Sequence, residues 1–202
     1  MTTETDLIKA LCAGEENAFR ELFSMYSDRV YNTALSMLQN QEDAEDITQD
    51  VFVEVFRSIR QFKGDSQLFT WIYRVTISKC SDHIKRIKAK KRMRFITSLF
   101  GDDNALLHDK AHFEHPGILA EKKDDSKALF HAISKLPAKQ QTAYTLHKIE
   151  NLSQKEVAEI METTTSAVES LMSRANENLK RLLSDYYKNN YNPAKGLFFF
   201  FF

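Results

Sequence analysis

The sequence predicts an all-α protein made of two small helical domains joined by a flexible linker. Three observations predict it. Apolar residues recur at intervals of three and four along most of the chain, with no strand-like alternation. Five glycines and three prolines are all that interrupt 202 residues. Between Met93 and Asp125 the periodicity fades, Gly101, Pro116 and Gly117 appear, and the charge turns acidic through Asp102, Asp103, Asp109, Glu114, Glu121, Asp124 and Asp125. The expected division is 7–94 for the first domain, 95–125 for the linker, 126–188 for the second domain and 189–202 for a tail.

Taken in order, a first stripe runs Phe19, Leu22, Phe23, Tyr26, Val30, Ala34, Leu38. A second runs Ala44, Ile47, Val51, Val55, Ile59, with Phe52 and Phe56 alongside. Both read as core-facing helices. Gly64 and Asp65 break the pattern, and a third helix carries Phe69, Ile72, Tyr73, Thr76, Cys80, Ile84 and Ile87 on one side. A three- or four-helix domain therefore ends near Arg94. The second domain opens near Ser126 with Leu129, Ala132, Ile133 and Leu136. Pro137 starts the next helix, which runs through Tyr144 and Leu146.

A hydrophobic content of 43% supports real cores, and a formal net charge of zero gives no overall basic excess for nucleic acid. Cys12 and Cys80 stand alone, so neither a disulfide framework nor a metal spacing is expected, and a reducing cytoplasm fits. The start, Met1 to Asp6, lacks the basic and apolar stretches of a secretory signal, and no apolar run approaches a membrane span, so no membrane insertion is expected. His108, His112 and His115 read as solvated linker histidines rather than a metal site. No nucleophile motif or phosphate loop is present, so no catalytic residue and no cofactor is expected. The run Phe198 to Phe202 follows the breaker-rich segment 192–196 and reads either as a translated poly-thymidine tract or as a hydrophobic docking peptide.

The clearest local signal lies in the second domain. Ser153-Gln154-Lys155-Glu156 is a capping box, with Leu152 and Val157 placed for a hydrophobic staple. A short helix follows through Val157, Ala158, Ile160 and Met161. It stops in Thr163-Thr164-Thr165, and a longer helix restarts with Val168, Leu171, Met172, Ala175, Leu179, Leu182 and Leu183. Two helices and one short turn have the spacing of a helix-turn-helix, although an ordinary helical hairpin shares it. In such a motif Thr164, Thr165, Ser166 and Ser170 can donate to phosphate or base, and Arg174, Lys180 and Arg181 follow on later turns. Glu169 either closes a second capping box with Ser166 or accepts from a cytosine amino group.

Zero net charge conceals a segregation. Glu42, Asp43, Glu45, Asp46, Asp50 and Glu54 have no basic residue among them, whereas Lys79, Lys85, Arg86, Lys88, Lys90, Lys91, Arg92 and Arg94 face a single Asp82. The acidic helix suits a basic protein partner, and the basic one suits phosphates with steep salt dependence. Each can also be a plain solvated face. Phe62, Phe69, Trp71 and Tyr73 stand just before the basic stretch. Part of that set serves the core and part is available to stack on unpaired bases.

The run Asp43-Ala44-Glu45-Asp46-Ile47-Thr48-Gln49-Asp50-Val51-Phe52, then Phe62-Lys63-Gly64-Asp65-Ser66, then Phe69-Thr70-Trp71-Ile72-Tyr73-Arg74, resembles region 2 of extracytoplasmic-function sigma factors. Leu136-Pro137 with Ser153 to Arg174 resembles their region 4. The resemblance spans nearly all of residues 7–188. It implies a non-catalytic, cytoplasmic subunit that partners core RNA polymerase, promoter DNA and an anti-sigma factor. Asp46, Gln49 and Asp50, with Phe52 and Phe56 nearby, are then expected to bind polymerase. Phe62, Lys63, Asp65, Ser66, Trp71, Arg74, Ser78, Lys79, Asp82, Lys85 and Arg86 are expected to open and read the minus-ten element. Thr164, Thr165, Ser166, Glu169, Ser170 and Arg174 are expected at the minus-thirty-five element. Glu169 and Leu171 stand where many relatives carry arginines, and Ser78 where some carry asparagine, so neither promoter sequence can be borrowed. Without polymerase, the same residues also suit a free-standing helix-turn-helix regulator or a helical adaptor.

Overall fold

The computed structural model describes residues 3–100 and 123–190, which fall into two separate compact units. Every regular element among them is helical.

The first unit opens with α1 (Glu4–Ala13), capped by Thr3, whose hydroxyl accepts from the Asp6 N–H at 3.2 Å. Gly14, at φ 82°, ends it in the left-handed conformation that glycine adopts without cost. The helices expected from sequence begin only at Ala18, so α1 is an addition. Its sole apolar line, Leu7 and Leu11, is buried. Next, α2 (Glu16–Leu38) and α3 (Gln41–Ser58) form a tight helical hairpin. Gln39, left-handed at φ 55°, closes α2, and the Asn40 side chain accepts from the Asp43 N–H at 3.0 Å to start α3. Glu42 and Asp43 sit in that first turn, where the helix dipole favours negative charge. Part of the acidic run therefore serves the helix that carries it.

A single 3₁₀ turn (Ile59–Gln61) and a loop lead to α4 (Leu68–Phe100), which packs on both α2 and α3. The core between them holds Leu22, Tyr26, Val30, Ala34, Ile47, Val51, Val55, Ile59, Leu68, Ile72, Tyr73 and Cys80. Burial pushes the Cys80 thiol up to about 12, which leaves it a small apolar filler. The helix α4 continues to Phe100 and α5 begins at Lys123, so both ends of the expected 95–125 linker are helical. Residues 101–122, with the three histidines, lie outside the described residues, as does the chain from Tyr191 onward with the phenylalanine run.

The second unit comprises α5 (Lys123–Ser134), α6 (Ala138–Tyr144), α7 (Gln154–Ile160) and α8 (Thr165–Asn190). Pro137 precedes the first residue of α6, as the sequence predicts. Beyond Tyr144 the helix widens into one π-type turn (Thr145–Ile149), in which the Glu150 N–H donates to the Thr145 carbonyl at 3.0 Å. Ile133, Leu146, Val157, Val168, Ala175 and Leu179 form the core. No helix of the described residues is long and apolar enough to cross a membrane.

Candidate nucleic-acid and protein-docking surfaces

At about 100° per residue, α3 presents three flanks outside its buried line of Ala44, Ile47, Val51 and Val55. One flank meets α2 through aromatic rings. Phe52 lies 4.8 Å from Phe23 and Phe56 lies 4.5 Å from Phe19, both pairs tilted. These rings are only partly covered, because Phe23 stays 52% exposed and Phe56 58%. The outward flank carries Asp46, Gln49 and Asp50, all exposed, around Val53 at 45% exposure. An apolar patch rimmed by carboxylates is what a basic protein partner would cover. All five residues expected to bind polymerase thus lie together here. Phe19 and Phe23 join them, although the stripe in the sequence reads them as core. The clue was their offset: Ala18, Leu22 and Tyr26 make the buried line of α2, and Phe19 and Phe23 run one residue beside it.

The third flank of α3 turns to α4. Glu54 pairs with the Lys79 ammonium at 3.1 Å, and Asp43 lies 3.0 Å from His83 Nε2. The acidic and basic helices, separate in sequence, are therefore tied together, and Lys79 is engaged inside the unit. Lys79, expected among the residues that read the minus-ten element, is thus paired with Glu54 within the first unit.

The face of α4 expected to read that element carries Trp71, Arg74, Ser78, Asp82 and Lys85, at successive spacings of three or four residues. Ser78, Asp82 and Lys85 are exposed, and Trp71 and Arg74 are half-buried. Asp82 already accepts from Lys85 at 2.9 Å, and Arg86 turns aside toward His83, at 3.3 Å. Of the four aromatics, Tyr73 is fully buried. Phe69 is occupied by Tyr73, at 4.8 Å, and by the Arg29 guanidinium, 5.5 Å from its centroid. Phe62 and Trp71, 5.2 Å apart, form the remaining half-exposed pair.

The Phe62 ring belongs to a loop that turns at Gly64, where φ is 75°, a conformation that favours glycine. Phe62, Lys63, Gly64 and Ser66 form one side of an open cleft of about 440 Å³. Glu4, Thr5, Ile8 and Lys9 of α1 form the other, so α1 contributes a wall that the sequence reading lacks. That wall is anchored. Glu4 accepts from the Leu68 N–H at 2.9 Å at the start of α4, Arg60 donates to the Cys12 carbonyl at 3.2 Å, and the Cys12 thiol lies 3.6 Å from the Ile59 carbonyl. Asp65 is exposed in the same loop.

In the second unit the capping box forms as the spacing predicts. Ser153 Oγ accepts from the Glu156 N–H at 3.2 Å, and the Glu156 carboxylate accepts from the Ser153 N–H at 2.8 Å. Leu152 and Val157 are both buried. The helix α7 closes with Glu162 left-handed at φ 51° and the Thr163 N–H donating back to the Ala158 carbonyl at 2.9 Å. Thr164 then caps α8, its hydroxyl accepting from the Ala167 N–H at 3.2 Å. The cap is Thr164 rather than Ser166, so Glu169 closes no second capping box. Ser166, Ser170 and Arg174 are exposed on the side of α8 away from its buried line, Glu169 is exposed on its flank and Thr165 in its first turn, with Ser170 Oγ donating to the Ser166 carbonyl at 3.0 Å. Ser173, between Ser170 and Arg174, shares that outward face and is absent from the set expected from sequence.

The family model for sigma-70 region 2 matches residues 22–90 and that for sigma-70 region 4 matches residues 126–179, together more than half of the chain. Among curated proteins, the RNA polymerase sigma-H factor of Pseudomonas aeruginosa is 28% identical over 190 residues, covering 91% of this chain and 96% of that protein. The extracytoplasmic-function sigma factor SigW of Bacillus subtilis is 29% identical over 182 residues, covering 88% and 95%. Two solved structures share the fold at 20% identity. They are CnrH in complex with the cytosolic domain of CnrY, with a TM-score of 0.63 over 89% of this chain and 96% of that one, and the Bartonella quintana sigma factor RpoE in complex with the anti-sigma factor NepR, with a TM-score of 0.59 over 82% and 96%.

Proposed function

Because the chain belongs to the sigma-70 family, in its extracytoplasmic-function branch, and directs promoter-specific transcription initiation by RNA polymerase, we propose the following division of labour between its surfaces. Core polymerase docks on the aromatic and acidic surface of α2 and α3, with Asp46 and Asp50 as charged contacts, Gln49 as a polar one, and Phe52 and Phe56 as apolar anchors beside Phe23. What supports this is the coincidence of rings left half-uncovered with carboxylates on the adjoining flank.

The minus-ten element is opened by the loop from Phe62 to Ser66 and the outer face of α4. Melting is driven by differential binding: the cleft and the Phe62–Trp71 pair accept an extruded base but not a stacked one, which offsets the few kcal/mol of unstacking. Lys63 and Asp65 flank that base, and Arg74, Ser78, Asp82, Lys85 and Arg86 follow the strand. Lys79 reaches DNA only by leaving Glu54. In the second unit, Thr164, Thr165, Ser166, Glu169, Ser170 and Arg174 enter the major groove at the minus-thirty-five element, with Arg174 as the principal cation. The two contacts act jointly once both units ride on polymerase.

Catalysis on this account belongs wholly to the polymerase, and the protein acts in the cytoplasm. An anti-sigma factor holds it inactive by covering the same surfaces; what supports such a partner is that the Bartonella quintana sigma factor RpoE is solved in complex with the anti-sigma factor NepR. Permanganate footprinting of a promoter with core polymerase tests the melting step. Trp71→Ala is expected to reduce thymine reactivity in the minus-ten region about 10-fold or more, since one lost base stack is worth roughly 1–3 kcal/mol. Unchanged reactivity with a folded variant would remove Trp71 from the melting machinery.

A further inference from the structure

Helix α1 holds the loop from Phe62 to Ser66 at both of its ends. After the loop, Leu68 is the first residue of α4, and a first-turn N–H has no partner within its own helix. The Glu4 carboxylate supplies one. It accepts from the Leu68 N–H at 2.9 Å across 64 residues of sequence, and its charge meets the positive end of the α4 dipole. Before the loop the roles reverse. The Cys12 carbonyl lies in the last turn of α1, where carbonyls are left without helical partners, and Arg60 Nε donates to it at 3.2 Å. The Cys12 thiol lies 3.6 Å from the neighbouring Ile59 carbonyl.

Between Glu4 and Cys12 the helix keeps these two attachment points about 12 Å apart along its axis, at about 1.5 Å per residue. Leu7 and Leu11, both buried, seat it on the unit. The loop has no such stiffness of its own: it turns at a glycine and leaves Lys63, Gly64 and Asp65 exposed at its tip. The Phe62–Trp71 pair joins its two ends. Phe62 directly follows the 3₁₀ turn that Cys12 holds, and Trp71 lies one turn into α4 from Leu68. Their 5.2 Å separation therefore depends on the span that α1 sets.

We propose that α1 is a strut that fixes the span of this loop, with Glu4 and Arg60 as positioning residues for promoter opening. The proposal rests on the reading above, in which the cleft and the Phe62–Trp71 pair take the extruded base. Arg60 lies outside the lining of the cleft, so it acts through the end of the loop and not on that base. The test is permanganate reactivity of minus-ten thymines at a promoter mapped by run-off transcription, with saturating holoenzyme, beside the amount of unopened complex held in the cold. Both tethers are charge-assisted hydrogen bonds, and losing either one predicts opening lowered about 10-fold, in Glu4→Ala and in Arg60→Ala. Glu4→Gln keeps an oxygen for the Leu68 N–H and should open within about threefold of wild type. Core-polymerase binding and the unopened complex should stay unchanged, which a general loss of fold would not allow. With Trp71→Ala impaired, wild-type opening in either Glu4→Ala or Arg60→Ala would overturn the strut. So would losses of opening matched by equal losses of unopened complex. Unchanged opening in Trp71→Ala as well would sink the melting reading itself, and the strut with it.

Discussion

Replacing Phe56 by alanine separates polymerase docking from folding. A phenylalanine carries about 200 Å² of surface, and with 58% of it open in the free chain roughly 115 Å² is available to a partner. At about 25 cal/mol per Å², covering that area contributes about 3 kcal/mol to binding, or roughly 150-fold in Kd. The remaining area, mostly against Phe19, sets an upper bound of about 2 kcal/mol on the loss of fold stability. The assay is the Kd of fluorescently labelled chain for core polymerase, beside urea unfolding followed by the single tryptophan, Trp71. Met25→Ala is the control. Met25 is also 52% exposed but lies about 200° around α2 from Phe23, off the patch, and its loss is expected to leave Kd within twofold. A Phe56→Ala protein that is folded and binds polymerase within threefold of wild type would refute the docking surface. Equal losses for Met25 and Phe56 would show that the contact is not this patch.

Other expectations follow from particular contacts. A double-mutant cycle on Glu54 and Lys79 should give a coupling of about 0.5 kcal/mol in urea unfolding, because both side chains are a third or more exposed and water screens the pair. A coupling indistinguishable from zero would mean that Lys79 is free for DNA after all. Ser153→Ala removes one half of the α7 capping box and should cost about 1 kcal/mol, read as a lower unfolding midpoint. An unchanged midpoint would count against that cap. Glu162→Gly relieves roughly 1 kcal/mol of left-handed strain and gives part of it back to the freer unfolded chain, for a net gain of about 0.5 kcal/mol. A loss in thermal melting would mean the Glu162 side chain matters more than its backbone. Native iodoacetamide labelling at pH 8 should modify Cys12 and spare Cys80. The Cys80 thiol, buried and pushed up to about 12, is almost wholly protonated there, and labelling becomes appreciable only on unfolding or as the pH nears that value. Rapid Cys80 labelling at pH 8 would show that the first unit opens readily.

What was legible in the sequence was mostly local. The capping box at Ser153 and Glu156 and the buried lines of α2, α3 and α8 depend on residues within a turn or two of one another, so spacing alone reveals them. Helix α1 escaped because two leucines among polar neighbours make too short a stripe. The continuation of α4 to Phe100 escaped for another reason: after Ile87 the helix runs through Lys88–Arg94, all exposed, where there is no amphipathic period to follow. Tertiary facts were not accessible at all. Glu54 stands 25 residues from Lys79, and nothing in either charge run indicates that the two helices neutralise each other across a contact. Among the site residues, the acidic run by itself indicated a basic protein partner, and the choice of Asp46, Gln49 and Asp50 on that helix followed from the family resemblance. The exposure of Phe23 and Phe56 could not be read at all, since an aromatic in a helical stripe is ordinarily core.

Run-off transcription with purified core polymerase and fragmented genomic DNA from the source organism, with and without the protein, is the most direct test of promoter-specific initiation by this chain. Discrete transcripts that appear only with the chain, and whose start sites align on shared minus-ten and minus-thirty-five elements, are the predicted result. No new transcripts, with no binding of the chain to core polymerase, would contradict it.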